Sequence, residues 1–316
     1  MASRISLRQL EYFVAVCKAG SIAAAADQIH VSASAISAAV AHMERELATQ
    51  LFVRHPVQGI TRTPVGQRVQ DQAQALLALS DQLYTVARDS SATLGGALRI
   101  GCFVTLAALV APELCQGFAR ANPQVRLTQT EDHQEGLLKK LRHAELDLAI
   151  TYDLGLDGGD IAFEPLATLP PYAIVGAAHP LAGRAAVALD ELASCPLVML
   201  DLPLSGDYFL SLFKAAGLTP QIAATTTSQD VLRSLVANDI GYCLANIRPK
   251  ALVALDGRAL VPLQLKGAHR ALQLGLAWYK GKNMDKLMQA FCERSRTLIG
   301  EGQVPGMAFG PSDLAP

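Results

Sequence analysis

Two groups of residues stand where side-chain chemistry is available, and in both the chemistry is binding. Near the N-terminus, Ser34 and Ser37 project from one face of a helical pattern, and Arg54, His55 and Arg62 rim a turn-containing segment just beyond it. Short hydrogen-bonders beside cations suit contact with a sugar-phosphate backbone. Further along, Thr105, Ser205 and Ser228 each sit at a strand-to-helix junction, where the free N–H groups of a helix's first turn attract anions. Their convergence on one cleft would make a site for a small ligand carrying a carboxylate or similar group, although each hydroxyl taken singly is also an ordinary helix cap. Catalysis is disfavoured. The chain contains no G-x-S-x-G, H-E-x-x-H, G-x-G-x-x-G or P-loop, and its seven histidines lie far apart without patterned acidic partners. Cysteines at 17, 102, 115, 195, 243 and 292 form no C-x-x-C pair, so buried free thiols are expected, with no metal and no cofactor.

The first group needs helices to hold it. Ser21 to Leu47 reads as two helices joined by a tight turn at Val31-Ser32. Ser21 caps a first helix whose Ala24, Ala25 and Ala26 allow close packing; Ile36, Val40, Met43 and Leu47 then place one buried stripe on the second, turning Ser34, Ser37, Ala38 and His42 outward. A preceding helix from Leu7 to Lys18, with Leu10, Phe13, Val14 and Cys17 inward, supplies the third wall. Leu51 to Thr63, turning about Pro56 and Gly59, reads as a β-hairpin wing. Two short helices so joined make a helix-turn-helix, whose second helix can lie in a DNA major groove. From Pro64 a long helix follows, with Val65, Val69, Ala73, Leu76, Leu77, Leu83, Tyr84 and Ala87 in one narrow stripe. Such a stripe requires a partner. The same helix of a second subunit is the economical one, and packing on its own domain the alternative.

Thr93-Leu94-Gly95-Gly96 marks a linker, after which the periodicity changes to a βαβαβ unit: strands at Ala97–Phe103, Val125–Thr130 and Asp147–Thr151, and helices at Thr105–Arg120 and Glu135–His143. Further strands are expected around Tyr172–Gly176, Leu197–Leu200, Ile222–Thr225, Ile240–Ala245, Leu260–Leu265 and Leu272–Trp278, with a closing helix from Met284 to Ile299. Two α/β lobes of this kind offer a cleft at the carboxyl ends of their strands. The division expected is a winged helix-turn-helix domain at 1–63, a linker helix at 64–92, a two-lobed α/β domain at 93–300, and a Gly/Pro-rich disordered tail at 301–316.

Composition agrees with a cytoplasmic globular chain: 51% hydrophobic and 17% charged residues, no run of about 18 uncharged apolar residues, and no N-terminal secretion pattern. Net charge is −1, unevenly placed: residues 1–68 carry seven Lys or Arg against four Asp or Glu, leaving 20 against 24 in the rest. The positive end thus coincides with the helical hairpin.

Several motifs in register resemble the LysR-type transcriptional regulators over nearly the whole chain. Leu7-Arg8-Gln9-Leu10-Glu11-Tyr12-Phe13-Val14-Ala15-Val16 is similar to that family's opening helix, and Gly20-Ser21-Ile22 with Ala24-Ala25-Ala26 to the start of its helix-turn-helix. Leu51-Phe52-Val53-Arg54, Gly59-Ile60 and Thr63-Pro64-Val65-Gly66 resemble its wing and linker entry; Gly96 to Gly101 and Glu145 to Ile150 resemble landmarks of its effector domain. The resemblance implies a winged helix-turn-helix head, a linker helix and a periplasmic-binding-protein-like effector domain. It further implies a homodimer or homotetramer on promoter DNA, controlled by a small molecule in the cleft and meeting RNA polymerase. Effector positions carried over are Thr105, the Thr130 to His133 segment with Asp132, Ser205 to Tyr208, and Ser228 with Gln229. Tyr208 and Arg248 would add an aromatic wall and a cation. The recognition helix departs from the family's usual Ser-Gln-Pro-Ala-Leu-Ser-Arg-Gln: here Ser32-Ala33-Ser34-Ala35-Ile36-Ser37-Ala38-Ala39 has alanine in place of the glutamine and the arginine. Bidentate base readout from those two positions is excluded. Ser32, Ser34 and Ser37 remain as short hydrogen-bonders, with Arg54, His55 and Arg62 for the backbone, so recognition leans on phosphates and DNA shape. The competing class is a plain small-ligand receptor, akin to solute-binding proteins, without a DNA function.

Overall fold

Serines begin each of the first three helices. In the computed structural model, which describes residues 4–55, 59–88, 94–300, 302 and 304–308, Ser6 and Gln9 form a reciprocal capping box at α1 (Leu7–Ala19). Ser21 Oγ accepts from Ala24 N at the start of α2 (Ile22–Ile29), and Ser32 Oγ accepts from Ala35 N at the start of α3 (Ala33–Glu46). Gly20, at φ 66°, ends α1 in the left-handed region that glycine adopts without strain. The chain divides into two units: residues 1–92 with 142–145, and 93–141 with 146–316.

In the first unit, Phe13, Ala25, Ile36, Met43 and Leu51 are fully buried, and the Phe13 ring lies 5.2 Å from that of Phe52. Leu47, expected on the buried stripe of α3, is 39% exposed, because the helix stops at Glu46 and Leu47 is its C-cap. Strands β1 (Phe52–His55) and β2 (Gly59–Arg62) pair antiparallel as the expected wing, which Ile60 N ties to the Gly20 carbonyl at 3.2 Å. Helix α4 (Pro64–Arg88) starts beneath it, with Thr63 Oγ1 accepting from Gly66 N at 2.9 Å. Its stripe is not the single one expected. Gln70, Ala73 and Gln74 are buried, and Val65, Val69 and Leu77 pack on the core of this same unit, whereas Leu76 and Leu79 are each 51% exposed. The first half of α4 therefore serves its own domain. The side chains of Leu83, Tyr84 and Ala87 lie outside the described residues.

The second unit opens with β3 (Gly96–Phe103) and α5 (Val104–Ala111). The helix expected to run unbroken to Arg120 passes through one π-helical turn at Pro112–Gln116 before α6 (Gly117–Ala121). Pro112 has no N–H to donate, and the wider turn absorbs the defect. There follow β4 (Val125–Asp132), α7 (Gln134–Arg142), β5 (Leu148–Tyr152) and β6 (Ile161–Leu169). The second lobe contributes β7 (Tyr172–Gly176), β8 (Ala186–Val187), α8 (Leu189–Ala193), β9 (Pro196–Leu200), α9 (Ser205–Ala215), β10 (Gln221–Thr226), α10 (Gln229–Ala237), β11 (Cys243–Ala245), β12 (Arg248–Pro249) and β13 (Leu260–Leu265). The chain then returns as β14 (Leu272–Tyr279) and α11 (Lys286–Gly300), ending in β15 (Met307–Ala308).

The first sheet runs β4-β3-β5-β14-β6, with β3 parallel to β4 and β5, and β14 antiparallel to both β5 and β6. It is thus mixed, not purely parallel. Strand β6 was not expected: Pro165 interrupts its pattern, and the sheet tolerates the proline at an edge, where the register with β14 shifts between Leu274 and Gly275. The second lobe orders β11-β7-β13-β8, joined to the parallel pair β9–β10 through a Leu197–Tyr242 bridge. The tail also departs from expectation. Val304, Met307 and Ala308 are buried and β15 pairs with β12, so the disorder expected from composition does not extend to these residues.

Candidate functional site

On the first unit, the start of α3 carries Ser32 and Ser34 exposed, with their hydroxyls 3.1 Å apart, and Ser37 half-buried one turn on. Ser32 Oγ is already engaged by Ala35 N, which leaves Ser34 the freer hydroxyl. His42, read as outward-facing, is half-buried and lies 3.2 Å from Gln9 Nε2 through Nδ1. Arg62 is exposed on β2 and donates to Gln70 Oε1 at 2.6 Å, which aims its guanidinium. The side chains of Arg54 and His55 lie outside the described residues. This surface offers small hydroxyls and an oriented cation on a buried apolar base, an arrangement able to meet a groove and its phosphates.

On the second unit, a cavity of about 40 Å³ opens between the lobes. Strand ends and helix starts build it: Phe103 and Tyr152 end β3 and β5, Thr105 begins α5, Ser205 and Tyr208 begin α9, and Gln229 begins α10. The crossing segment Leu244 to Ile247 completes it. Of the residues expected from sequence, the structure brings together Thr105, Ser205, Tyr208 and Gln229. Thr130, Asp132, Ser228 and Arg248 are absent from this wall, each for a local reason. Thr130 is half-buried within β4, paired with Gly101. Asp132 lies 2.6 Å from Lys140 Nζ and accepts from His133 N; burial raises its carboxyl, but these bonds and the Lys140 charge hold it below the usual carboxylate range. Ser228 is exposed, its hydroxyl capping α10 through Val231 N. Arg248 is buried with its guanidinium 3.9 Å from the centre of the Tyr172 ring.

Several wall residues escaped the sequence reading. Phe103 and Tyr152 could have been found by extending the strand-end rule one residue further. Their rings pack edge to face at 5.3 Å, and Tyr152 shares a hydrogen bond with Thr105 while burial pushes its phenol up. The buried Gln134 supports the end of β5 by donating to the carbonyls of Tyr152 and Leu154 at 2.9 and 2.8 Å, and it accepts from Thr151. Asn246 carries no sequence signal at all. Its Nδ2 donates to the Leu169 carbonyl at 2.8 Å and to Tyr208 Oη at 3.0 Å, and Tyr208 Oη donates to the Arg270 carbonyl at 2.7 Å. Burial pushes the Tyr208 phenol up to about 12 despite the Asn246 bond and the Arg270 charge. Among the described residues no cluster of His, Cys, Asp or Glu could hold a metal, and no helix is long and apolar enough to cross a membrane.

Such a wall of hydroxyls, amides and aromatic rings can enclose a small molecule. Comparison with known proteins agrees. Residues 7–67 match the family model of the bacterial regulatory helix-turn-helix proteins of the lysR family, and residues 91–299 that of the LysR substrate binding domain. The chain is 28% identical over 281 residues to the HTH-type transcriptional regulator TtuA of Agrobacterium vitis, covering 87% of this chain and 92% of that one. The structure of HinK, a LysR family transcriptional regulator from Pseudomonas aeruginosa, is similar with a TM-score of 0.63 and 33% identity over 94% of this chain and 99% of that one. The fold is shared too, at TM-score 0.53 and 22% identity, with full-length CbnR solved in complex with its target DNA, over 92% of this chain and all of that one. Head, linker helix and two-lobed domain together make this chain a member of the LysR-type transcriptional regulators, a DNA-binding regulator with an effector-binding domain and not an enzyme.

Proposed function

We propose that Ser32, Ser34 and Ser37 of α3 read the DNA groove while Arg62, with Arg54 and His55 of the wing, holds the backbone, and that Thr105, Ser205, Tyr208 and Gln229 hold a small effector between the lobes. The observation that carries the first half is the burial of Ile36, Val40 and Met43, which leaves Ser34 on the free face of α3. For the second half it is the meeting of four expected residues, from three segments remote in sequence, on one cavity wall. The exposed Leu76 and Leu79 of α4 support pairing with a second copy, as a homodimer or a dimer of dimers, which presents two heads to a two-fold promoter site in the cytoplasm. Effector binding then alters how the oligomer holds DNA and meets RNA polymerase. A carboxylate, the class suggested by helix N-termini, finds the uncapped start of α5 in this cavity but no cationic side chain along the wall.

An electrophoretic shift of the full chain with DNA from upstream of its own gene tests the assignment. A retarded complex that resists competition by unrelated DNA is expected. No shift even at low salt, where phosphate contacts are strongest, would return the chain to the plain-receptor reading.

A further inference from the structure

Asn246 is 4% exposed, lines the inter-lobe cavity, and has one polar atom left over. Chemistry fixes its orientation. The Leu169 carbonyl can only accept, and Tyr208 Oη has given its proton to the Arg270 carbonyl, so the atom facing both must be the Nδ2 donor. The remaining atom is Oδ1, a buried acceptor without a hydrogen-bond partner. A buried polar atom left unpaired is destabilising until a donor reaches it.

The rest of the wall narrows what can bring that donor. Phe103, Tyr152 and Phe209 offer aromatic surface and Leu232, Leu244 and Leu272 aliphatic surface, and among the described residues no charged side chain lines the cavity. Arg270, whose guanidinium stands 5.9 Å from the Tyr208 ring centre, is engaged by the carbonyl and carboxylate of Asp153 at 3.2 and 3.4 Å. A carboxylate entering here would bury its charge without a cation and bring a second acceptor to Oδ1. An ammonium group would find no carboxylate.

We propose that the effector is an uncharged, largely aromatic small molecule that presents an N–H or O–H donor to Asn246 Oδ1. This rests on the reading of the cavity as the effector site and deepens it. The hydroxyl of Ser205 and the uncapped first turn of α5 supply donors for a carbonyl on the same ligand, so an amide-like group satisfies both sides. At about 40 Å³ the cavity holds only a few waters, so an aromatic ligand parts the lobes as it enters.

Benzoate, benzamide and benzamidine share one ring and carry negative, zero and positive charge at neutral pH. Their binding to the full-length protein, measured by ligand-observed NMR up to millimolar concentration, tests the proposal. Benzamide is expected to bind about tenfold more tightly than either ion, from the penalty of an unpaired buried polar group. Leu272→Trp, which fills the cavity, should abolish that binding, and Asn246→Asp, with its fold checked by circular dichroism, should shift preference toward benzamidine. Benzoate binding as well as benzamide, and lost in Leu272→Trp, would overturn the uncharged class while leaving the cavity as the effector site. Benzamide binding that survives Leu272→Trp would overturn the site itself, and absence of binding by all three would overturn the aromatic donor.

Discussion

Asn246 Nδ2 lies 3.0 Å from Tyr208 Oη, and through this one contact the segment crossing between the lobes is fastened to the first turn of α9. Tyr208 Oη extends the chain to the Arg270 carbonyl on the return crossing, and Asn246 extends it to Leu169 at the end of β6. The hydroxyl of Tyr208 thus joins two crossings and the cavity wall. Tyr208→Phe keeps the ring and removes the hydroxyl, leaving the Asn246 amide and the Arg270 carbonyl each short of a partner. A loss of about 1–2 kcal/mol in urea unfolding is expected. An unchanged midpoint would mean that water replaces the bond without penalty.

The proposed division of DNA recognition between α3 and the wing can be tested by substitution. Arg62→Ala should weaken operator and unrelated DNA alike and lower the slope of log affinity against log salt by about one. Ser37→Ala should relax discrimination among operator variants and leave that slope unchanged. Competition binding at several salt concentrations separates the two effects, and a salt-slope change in the serine variant would contradict its role in the groove.

Asp147 is an acid-sensitive tie in the first lobe. Its carboxylate accepts from Arg99 N and Nη2, both at 2.7 Å, and is paired with Lys282. Burial raises its pKa, but the Arg99 hydrogen bonds and the Lys282 and Arg99 charges outweigh that and hold it below the usual carboxylate range. A folded-state pKa depressed in this way contributes stability above the unfolded value of about 4, lost as pH falls through the depressed value. Asp147→Asn leaves the largely buried Lys282 without its partner, so a loss of about 3 kcal/mol at neutral pH is expected. Below about pH 4 the wild type should approach the variant. Parallel pH-stability curves for the two proteins would contradict this account.

Gly66 marks the close approach of α4 to the wing. A Cβ built there meets the Leu51 carbonyl oxygen at 2.0 Å, a backbone atom that cannot move aside. Gly66→Ala is expected to destabilise the head by about 2 kcal/mol or more and to reduce DNA affinity with it. Full retention of both would show that α4 can shift on its bed.

Much of the architecture was legible from sequence where local pattern and tertiary burial agree. The spacing of Ile36, Val40 and Met43, the serine caps and Thr63-Pro64 placed three helices, the wing and the start of α4 within a residue or two. What escaped was set by distant packing. Strand β6 carries Pro165 at a sheet edge, β14 inserts antiparallel among strands from the other end of the chain, and Met307–Ala308 gain their order only by pairing with Arg248–Pro249. For the cavity wall, hydroxyls at helix starts could be read, whereas Tyr152 and Asn246 owe their place to strand ends and a crossing whose proximity only the fold creates. Ser228 illustrates the reverse: a correct cap whose hydroxyl the helix itself occupies.

Paired winged heads reading specific DNA should leave a two-part footprint on it. DNase footprinting of the full-length protein on the region upstream of its own gene tests this most directly. Two protected half-sites are expected, spaced by one helical turn of about 10 base pairs or a multiple of it, at protein concentrations that leave a shuffled fragment bare. Equal occupancy of the native and shuffled fragments, or a single protected half-site, would contradict it.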